Sequence, residues 1–181
     1  MIVWLNGAFG VGKTTAAAEL CRLLPAAREH NPEVLGWFLQ HTVGRLQRGD
    51  YQHLASWRRG TVALTRWAAR GDSTIVVPMS VLRPDYLDGL LDGLRTHGHD
   101  VRHVLLDASS PVLQTRISED TSDNPRATDW RREHVANYRD VRDEIAARGI
   151  TIDTSDASPA QVAISVAHAV GLVDATDTSK P

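Results

Sequence analysis

Cysteine, lysine and long apolar runs are nearly missing from this chain of 181 residues. Cys21 is its single cysteine, so no disulfide can close within the chain. That residue falls in a helical pattern, where a small buried thiol fits better than a catalytic one. No apolar stretch nears the roughly 20 residues that a membrane helix needs. The first apolar run begins at Ile2, leaving no room ahead of it for a signal peptide. The expectation is a cytoplasmic protein without stable membrane insertion. Positive charge is not in excess either, with 20 Lys and Arg against 22 Asp and Glu and a net charge of −2. Such a balance offers nucleic acid no broad basic field. The eight histidines show no HExxH or Cys/His ligand spacing, which argues against zinc. Internal repeats and linker-like stretches are absent. With 42% hydrophobic and 23% charged residues, one soluble domain over 1–172 is expected, followed by a disordered tail over 173–181.

The shortage of lysine is informative because of where the exceptions fall. Of the cationic side chains only Lys13 and Lys180 are lysine, and Lys180 is next to the C-terminus. Lys13 belongs to Gly7-Ala8-Phe9-Gly10-Val11-Gly12-Lys13-Thr14, a complete GxxxxGK[ST] octet. In such a loop the glycines let backbone N–H groups turn inward around a phosphate chain, the lysine reaches the β/γ-phosphates, and the threonine hydroxyl meets Mg²⁺. The position needs a slim point charge on a flexible stem, which arginine does not supply. Ile2 to Leu5 reads as a strand before the octet, and Thr14 to Leu24 as an Ala/Leu-rich helix after it. The expected nucleotide contacts are Gly7, Gly10, Val11, Gly12, Lys13, Thr14 and Thr15, with ATP and Mg²⁺ as cofactors.

Strands and helices alternate along the rest of the chain. A weak second strand is expected within 26–30, then a helix opening at Asn31-Pro32-Glu33 and running to Leu46. Apolar residues recur at helical spacing from Tyr51 to Arg70, with Leu54, Trp57, Val62, Leu64 and Trp67 as the expected inward face. Strands are expected over 73–78, 101–106 and 149–153. Helices are expected over 83–97, 111–118, 130–148 and 159–170, and the polar stretch 119–129 as a mobile surface segment. This alternation predicts a three-layer α/β fold with a parallel, five-stranded sheet, ligands at the strands' carboxyl ends, and a short lid near 117–132.

Accessory parts select among phosphate-loop classes. A guanine-reading Asn-Lys-x-Asp element is absent, which excludes a GTPase. The strand at Ile75-Val76-Val77 ends in Pro78-Met79-Ser80 rather than a carboxylate, which disfavours a hydrolytic motor. A small-molecule kinase fits, its lid excluding water from a transfer governed by positioning and charge. Arg116 and Arg126, with Arg131 and Arg132, are the cations of that lid. Glu33 is the expected base for an acceptor hydroxyl, with Asp50 and Asp72 as alternatives, although an acid in a helix's first turn also simply complements the macrodipole. Trp37 and Trp57, with Arg58, lie where an acceptor pocket would form. A small-molecule acceptor and a monomer or homodimer complete the expectation.

The residues from Ile2 to Gly10, Pro32-Glu33 followed by Leu35-Gly36, Trp57, and Val77-Pro78-Met79-Ser80 together resemble the tunicamycin resistance proteins. The likeness runs from the first strand to about Val170. It implies a nucleotide-binding fold like that of small-molecule kinases, and resistance to nucleoside antibiotics built from a uridine-like unit with sugars and a lipid or peptide. Resistance could come from phosphorylation of a drug hydroxyl or from sequestration, and a metabolite or nucleotide kinase would use the same fold. The family's motif carries over to Gly7, Gly10, Gly12, Lys13 and Thr14, and beyond them to Glu33, Trp57 and Arg116. This chain departs from the pattern at Asn31, where relatives can carry an acid and where an amide cannot serve as a base.

Overall fold

Ile2, Val3, Trp4 and Leu5 are all fully buried, on both faces of the strand they form. Only a central strand of a covered parallel sheet buries side chains on both sides, and β1 (Ile2–Asn6) is that strand. The computed structural model describes residues 1–32, 51–120 and 125–173, and side chains within these except at 51 and 125–134. After β1 follow α1 (Lys13–Leu23), β2 (Ala27–Glu29), a 3₁₀ turn (Tyr51–His53), α2 (Ala55–Ala68), β3 (Thr74–Pro78) and α3 (Pro84–Arg95). Then come β4 (Val101–Asp107), α4 (Ser110–Glu119), α5 (Pro125–Ala146), β5 (Ile150–Asp153) and α6 (Pro159–Ala169).

The sheet order is β2-β3-β1-β4-β5, with every pairing parallel. β1 registers Ile2 against Ile75 on one side and against Val101 on the other. Right-handed crossovers put connections running toward β2 and toward β5 on opposite faces. Accordingly α1 packs with α6, while α2 packs with α3. The order also places the exits of β3 and β4 beside the exit of β1, where the glycine-rich octet begins.

Most expected elements are present, with shifted ends. The expected helix over 51–70 is divided at Leu54, whose extended backbone (φ −74°, ψ 118°) separates the 3₁₀ turn from α2. The inward face of α2 differs from the sequence expectation. Trp57, Thr61 and Thr65, spaced four apart, form its buried stripe, whereas Leu64 and Trp67 are 39% and 65% exposed. Two threonines occupy the positions that an apolar count assigns to solvent, so the stripe is rotated away from Leu64 and Trp67. The polar stretch 119–129 is also not one loop: α5 opens at Pro125, whose fixed φ suits a helix's first turn. Residues 121–124 and 174–181 lie outside the described residues.

Cys21 is half-buried, and burial first, then Glu29, pushes its thiol pKa up, which favours the protonated form.

Candidate active site

The loop's shape follows from what its glycines must avoid. Gly7 has φ +143°, and a Cβ there would stand 2.3 Å from the Leu106 carbonyl oxygen, so β4 leaves no room for a side chain. Gly12, at φ +93°, caps α1 and has no atom within 4 Å of the place a Cβ would take. Its bare backbone lines open space. The first main-chain bond of α1 is Ala16 N–H to Gly12 O at 2.8 Å. N–H groups ahead of Ala16 have no acceptor within the helix, and they form its partly positive end, suited to anions. Lys13 Nζ donates to Gly7 O at 3.1 Å and Ala8 O at 2.8 Å, and lies 5.7 Å from the Phe9 ring centre. The ammonium therefore sits across the loop's mouth.

Buried polar groups fix the loop to its neighbours. Asn6 Nδ2 donates to Val81 O at 3.0 Å, while its Oδ1 accepts from Val81 N–H at 2.9 Å and from Gly7 N–H at 2.8 Å. Ser80 Oγ donates to Gly7 O at 2.9 Å. The exit of β3 is thus tied to the loop's first turn. On the other side Thr154 Oγ1 is shared between Val11 O at 3.3 Å and Asp107 O at 3.1 Å, and Thr154 N–H donates to Asp107 O at 2.8 Å. Arg116 joins the same knot, donating to Thr154 Oγ1 at 3.2 Å, Thr154 O at 2.7 Å and Ser155 O at 3.3 Å.

Two cavities meet at Arg116. The larger, about 470 Å³, is lined by Phe9, Lys13, Thr14, Ser80, Arg116 and Asp120 among others. The smaller, about 290 Å³, is more apolar, with Val11, Ala16, Ala157 and Val162 beside Thr15 and Thr154. Gly10, Gly12, Thr15 and Arg116 line both. One chamber is polar and cationic, the other suits a flat ring. Arginine at their junction offers a planar fork to either.

α5 is held above this region by Asp107 at the end of β4. Tyr138, fully buried, donates its phenol to Asp107 Oδ1 at 2.7 Å, and Arg142 Nε donates to Oδ2 at 2.8 Å. Burial, then the hydrogen bond to Asp107, pushes the Tyr138 phenol above its usual range.

A second cluster borders the cavity at Ser80. Gln52 Nε2 donates to Ser80 O at 2.8 Å, and Arg58 donates to Gln52 O. The Arg58 guanidinium lies 4.1 Å from the Tyr86 ring centre, Arg83 lies 4.4 Å from the same ring, and His53 Nδ1 is 2.9 Å from the Tyr86 hydroxyl.

The structure brings Gly10, Val11, Gly12, Lys13, Thr14, Thr15 and Arg116 together around these cavities, while Gly7 lies behind them against β4, its carbonyl accepting from Lys13. Arg58 lies one hydrogen-bonded step from Ser80. Trp57 is corrected: at 1% exposure its ring is enclosed by protein and offers no open face. Asp72 is corrected too, since it precedes β3 and so lies at the strands' amino ends, opposite the loop. Glu33, Trp37 and Asp50 lie outside the described residues, as do the side chains of Arg126, Arg131 and Arg132. Sequence reasoning did not single out Ser80, Asp120, Thr154 or Asp107 as site residues. Thr154 and Asp107 are polar residues at strand ends, the one signal that marks them.

Comparison with known proteins bears on the fold that carries this site. No curated protein matches the chain. The tunicamycin resistance protein of Deinococcus radiodurans superposes with a TM-score of 0.76 at 29% identity, over 95% of this chain and 96% of that one. A gluconokinase from Sinorhizobium meliloti gives 0.65 at 19% identity over 94% and 91%. A shikimate kinase from Bacteroides thetaiotaomicron gives 0.61 at 17% over 95% and 97%. The resemblance carried by residues 2–10 and 77–80 therefore extends to the whole fold, which is that of small-molecule kinases. A family model described as an AAA domain matches residues 2–145, and the chain belongs to that phosphate-loop family.

Proposed function

We propose that this protein is an ATP-dependent phosphotransferase that modifies a hydroxyl of a small molecule, with a nucleoside antibiotic of the tunicamycin kind as its acceptor. The observation that carries the reading is the pair of cavities joined at Arg116, one floored by the glycine-rich turn and Lys13, the other apolar. The donor set fits a phosphate chain: bare backbone at Gly12, the opening turn of α1, and one ammonium poised over loop carbonyls. The apolar chamber by Val11, Ala16 and Val162 fits the base. Thr14 would hold Mg²⁺, which when bound neutralises charge on the transferring group.

The residues divide the work by position. Gly7, Gly10, Gly12, Lys13 and Thr15 grip the phosphates, and Arg116 walls the nucleotide in. Arg126 serves as the cation of the lid. Glu33 receives the acceptor proton, and Trp37 walls the acceptor. Arg58, held beside Ser80 through Gln52, faces a polar substituent of the acceptor. The protein works in the cytoplasm as a monomer or homodimer.

Asn31 favours a second reading, nucleotide-dependent sequestration without chemistry, because an amide stands where relatives can carry an acid. Mixing the protein with ATP, Mg²⁺ and tunicamycin, then weighing the drug by mass spectrometry, separates them. Phosphotransfer adds one phosphoryl group, and Lys13→Ala and Glu33→Gln abolish the gain. Unmodified drug bound tightly by the protein would overturn the kinase reading in favour of sequestration. Unmodified drug that does not bind would remove the antibiotic as acceptor.

A further inference from the structure

Cations gather at the end of the sheet opposite the phosphate loop. The last turns of α2 and the turn before β4 enclose a cavity of about 320 Å³, lined by Ala63, Arg66, Trp67, Arg70 and His99. It shares no lining residue with the two cavities at the loop. Arg70 shortly precedes β3 and His99 shortly precedes β4, so this cavity sits at the strands' amino ends. The length of β1, about 16 Å at the usual rise, separates it from Gly7.

Its lining is unusual in two respects. Trp67 leaves 65% of its surface in solvent, the most exposed of the large hydrophobic side chains among the described residues. The side chains of Arg66 and Arg70 make no hydrogen bond or ion pair with any described residue, and Arg66 Nε is buried without an acceptor. Elsewhere Arg22, Arg83, Arg95, Arg102, Arg142 and Arg148 each face a carboxylate. The Arg28 and Arg59 side chains also have no partner among the described residues, but they line no cavity beside an aromatic ring. The nearest acids in sequence are Asp72, two residues after Arg70, which does not line the cavity, and Asp100, which is itself paired with Arg102 at 2.9 Å. Burial, then Arg66, the Met1 ammonium and His97, hold the His99 imidazole below its ordinary range, and no carboxylate enters that balance. Among the described residues the cavity's lining is thus cationic and holds no acid, beside a largely exposed indole.

We propose that this cavity is a second ligand site for a small planar anion of the nucleoside monophosphate class, its base stacked on Trp67 and its phosphate between Arg66 and Arg70. Guanidinium forks match phosphate oxygens geometrically, and an exposed indole face stacks on any base. An anion without a ring would leave Trp67 uncovered, and a ring without charge would leave both arginines uncompensated. The cavity's volume is that of a small-molecule site, and its five lining residues are far fewer than the roughly 20 a side of a protein interface. Nothing in this site depends on phosphotransfer at the loop.

Titration of the full-length protein with AMP tests the proposal, with the loop first saturated by Mg²⁺ and a non-hydrolysable ATP analogue. Tryptophan fluorescence and the NMR shifts of the His99 ring report binding. AMP is expected to bind saturably and at least about tenfold more tightly than adenosine or inorganic phosphate. Arg66→Gln with Arg70→Gln reduces AMP to the level of adenosine, Trp67→Ala weakens it as read by His99, and Trp67→Phe retains it. Affinity for the ATP analogue is unchanged in all of them, which also shows that they fold. No saturable AMP binding, AMP no tighter than phosphate, or AMP binding indifferent to the double variant would each overturn the site.

Discussion

Asn6 grips Val81 at both of its main-chain groups, donating to the carbonyl at 3.0 Å and accepting from the N–H at 2.9 Å. The two residues are 75 apart in sequence and belong to the exits of β1 and β3. Because the same Oδ1 also takes Gly7 N–H, one fully buried amide sets where the phosphate loop starts relative to the neighbouring strand. Asn6→Ala would strand three buried main-chain groups. A loss of roughly 2–4 kcal/mol in urea unfolding is expected. Weaker nucleotide binding should accompany it, since Gly7 loses its anchor. Asn6→Asp keeps the acceptor but sets a carboxylate against Val81 O, so it should rescue little. Wild-type stability in Asn6→Ala would show that water replaces the clamp.

Gly7 and Gly12 both have positive φ, yet they should fail differently when given a side chain. At Gly7 a Cβ meets the Leu106 carbonyl at 2.3 Å, so β1 and β4 must separate. At Gly12 the Cβ enters open space and only the left-handed backbone opposes it, at roughly 1–2 kcal/mol. Gly7→Ala is therefore expected to lower the thermal midpoint strongly. Gly12→Ala should fold with a modest loss and reduce nucleotide affinity. Equal thermal losses in the two variants would show that backbone strain alone governs this loop.

The parts of the site legible in the sequence are those fixed by local chemistry. An octet whose spacing is set by a phosphate chain can be read without the fold, and the residues it marks from Phe9 to Thr15 line the two cavities at the end of β1. Strands buried on both faces, such as Ile2 to Leu5 and Ile75 to Val77, announce themselves as unbroken apolar runs. Contacts between distant exits are silent by comparison. Nothing near Thr154 in sequence says that it will meet both Val11 and Arg116. Nor does anything near Asp107 point to Tyr138. Helix α2 misled for another reason: its buried stripe contains Thr61 and Thr65, while Trp67, counted inward by its apolarity, stands in solvent beside Arg66 and Arg70.

Asp107 anchors α5, the helix whose first turns fall within the expected lid stretch 117–132. Tyr138→Phe removes one donor and leaves Asp107 with Ala108 N–H and Arg142, so a loss of about 1 kcal/mol is expected. Asp107→Ala releases Tyr138 and Arg142 together and should cost more, about 2 kcal/mol or above. If α5 positions the lid, Asp107→Ala will also slow phosphotransfer at saturating ATP, while Tyr138→Phe leaves it nearly intact. Hydrogen exchange along 135–146 checks the structural half of this. Unchanged protection there in Asp107→Ala would remove Asp107 as the anchor.

His103 gives the fold a dependence on pH that can be isolated. It lies on β4 opposite Trp4, is 3% exposed, and packs against Gly149, where any Cβ would come within 2.7 Å of Nδ1. Burial disfavours the imidazolium and lowers its pKa to about 4, against a weaker opposing pull from the Arg148 backbone. Between the ordinary value of 6.5 and about 4, the unfolded chain therefore binds a proton that the native state refuses. The unfolded state carries more protons in that window, so stability rises with pH and is lost as pH falls. The full loss amounts to about 3 kcal/mol on reaching pH 4. Below pH 4 both states are protonated and the contribution stops changing. His103→Leu, close in size and without a proton to take up, should flatten this part of the profile while leaving the carboxylate contribution intact. Urea unfolding of both proteins from pH 7 to pH 4 measures the difference, and parallel profiles would show that the imidazole gains its proton in place, without loss of the native packing.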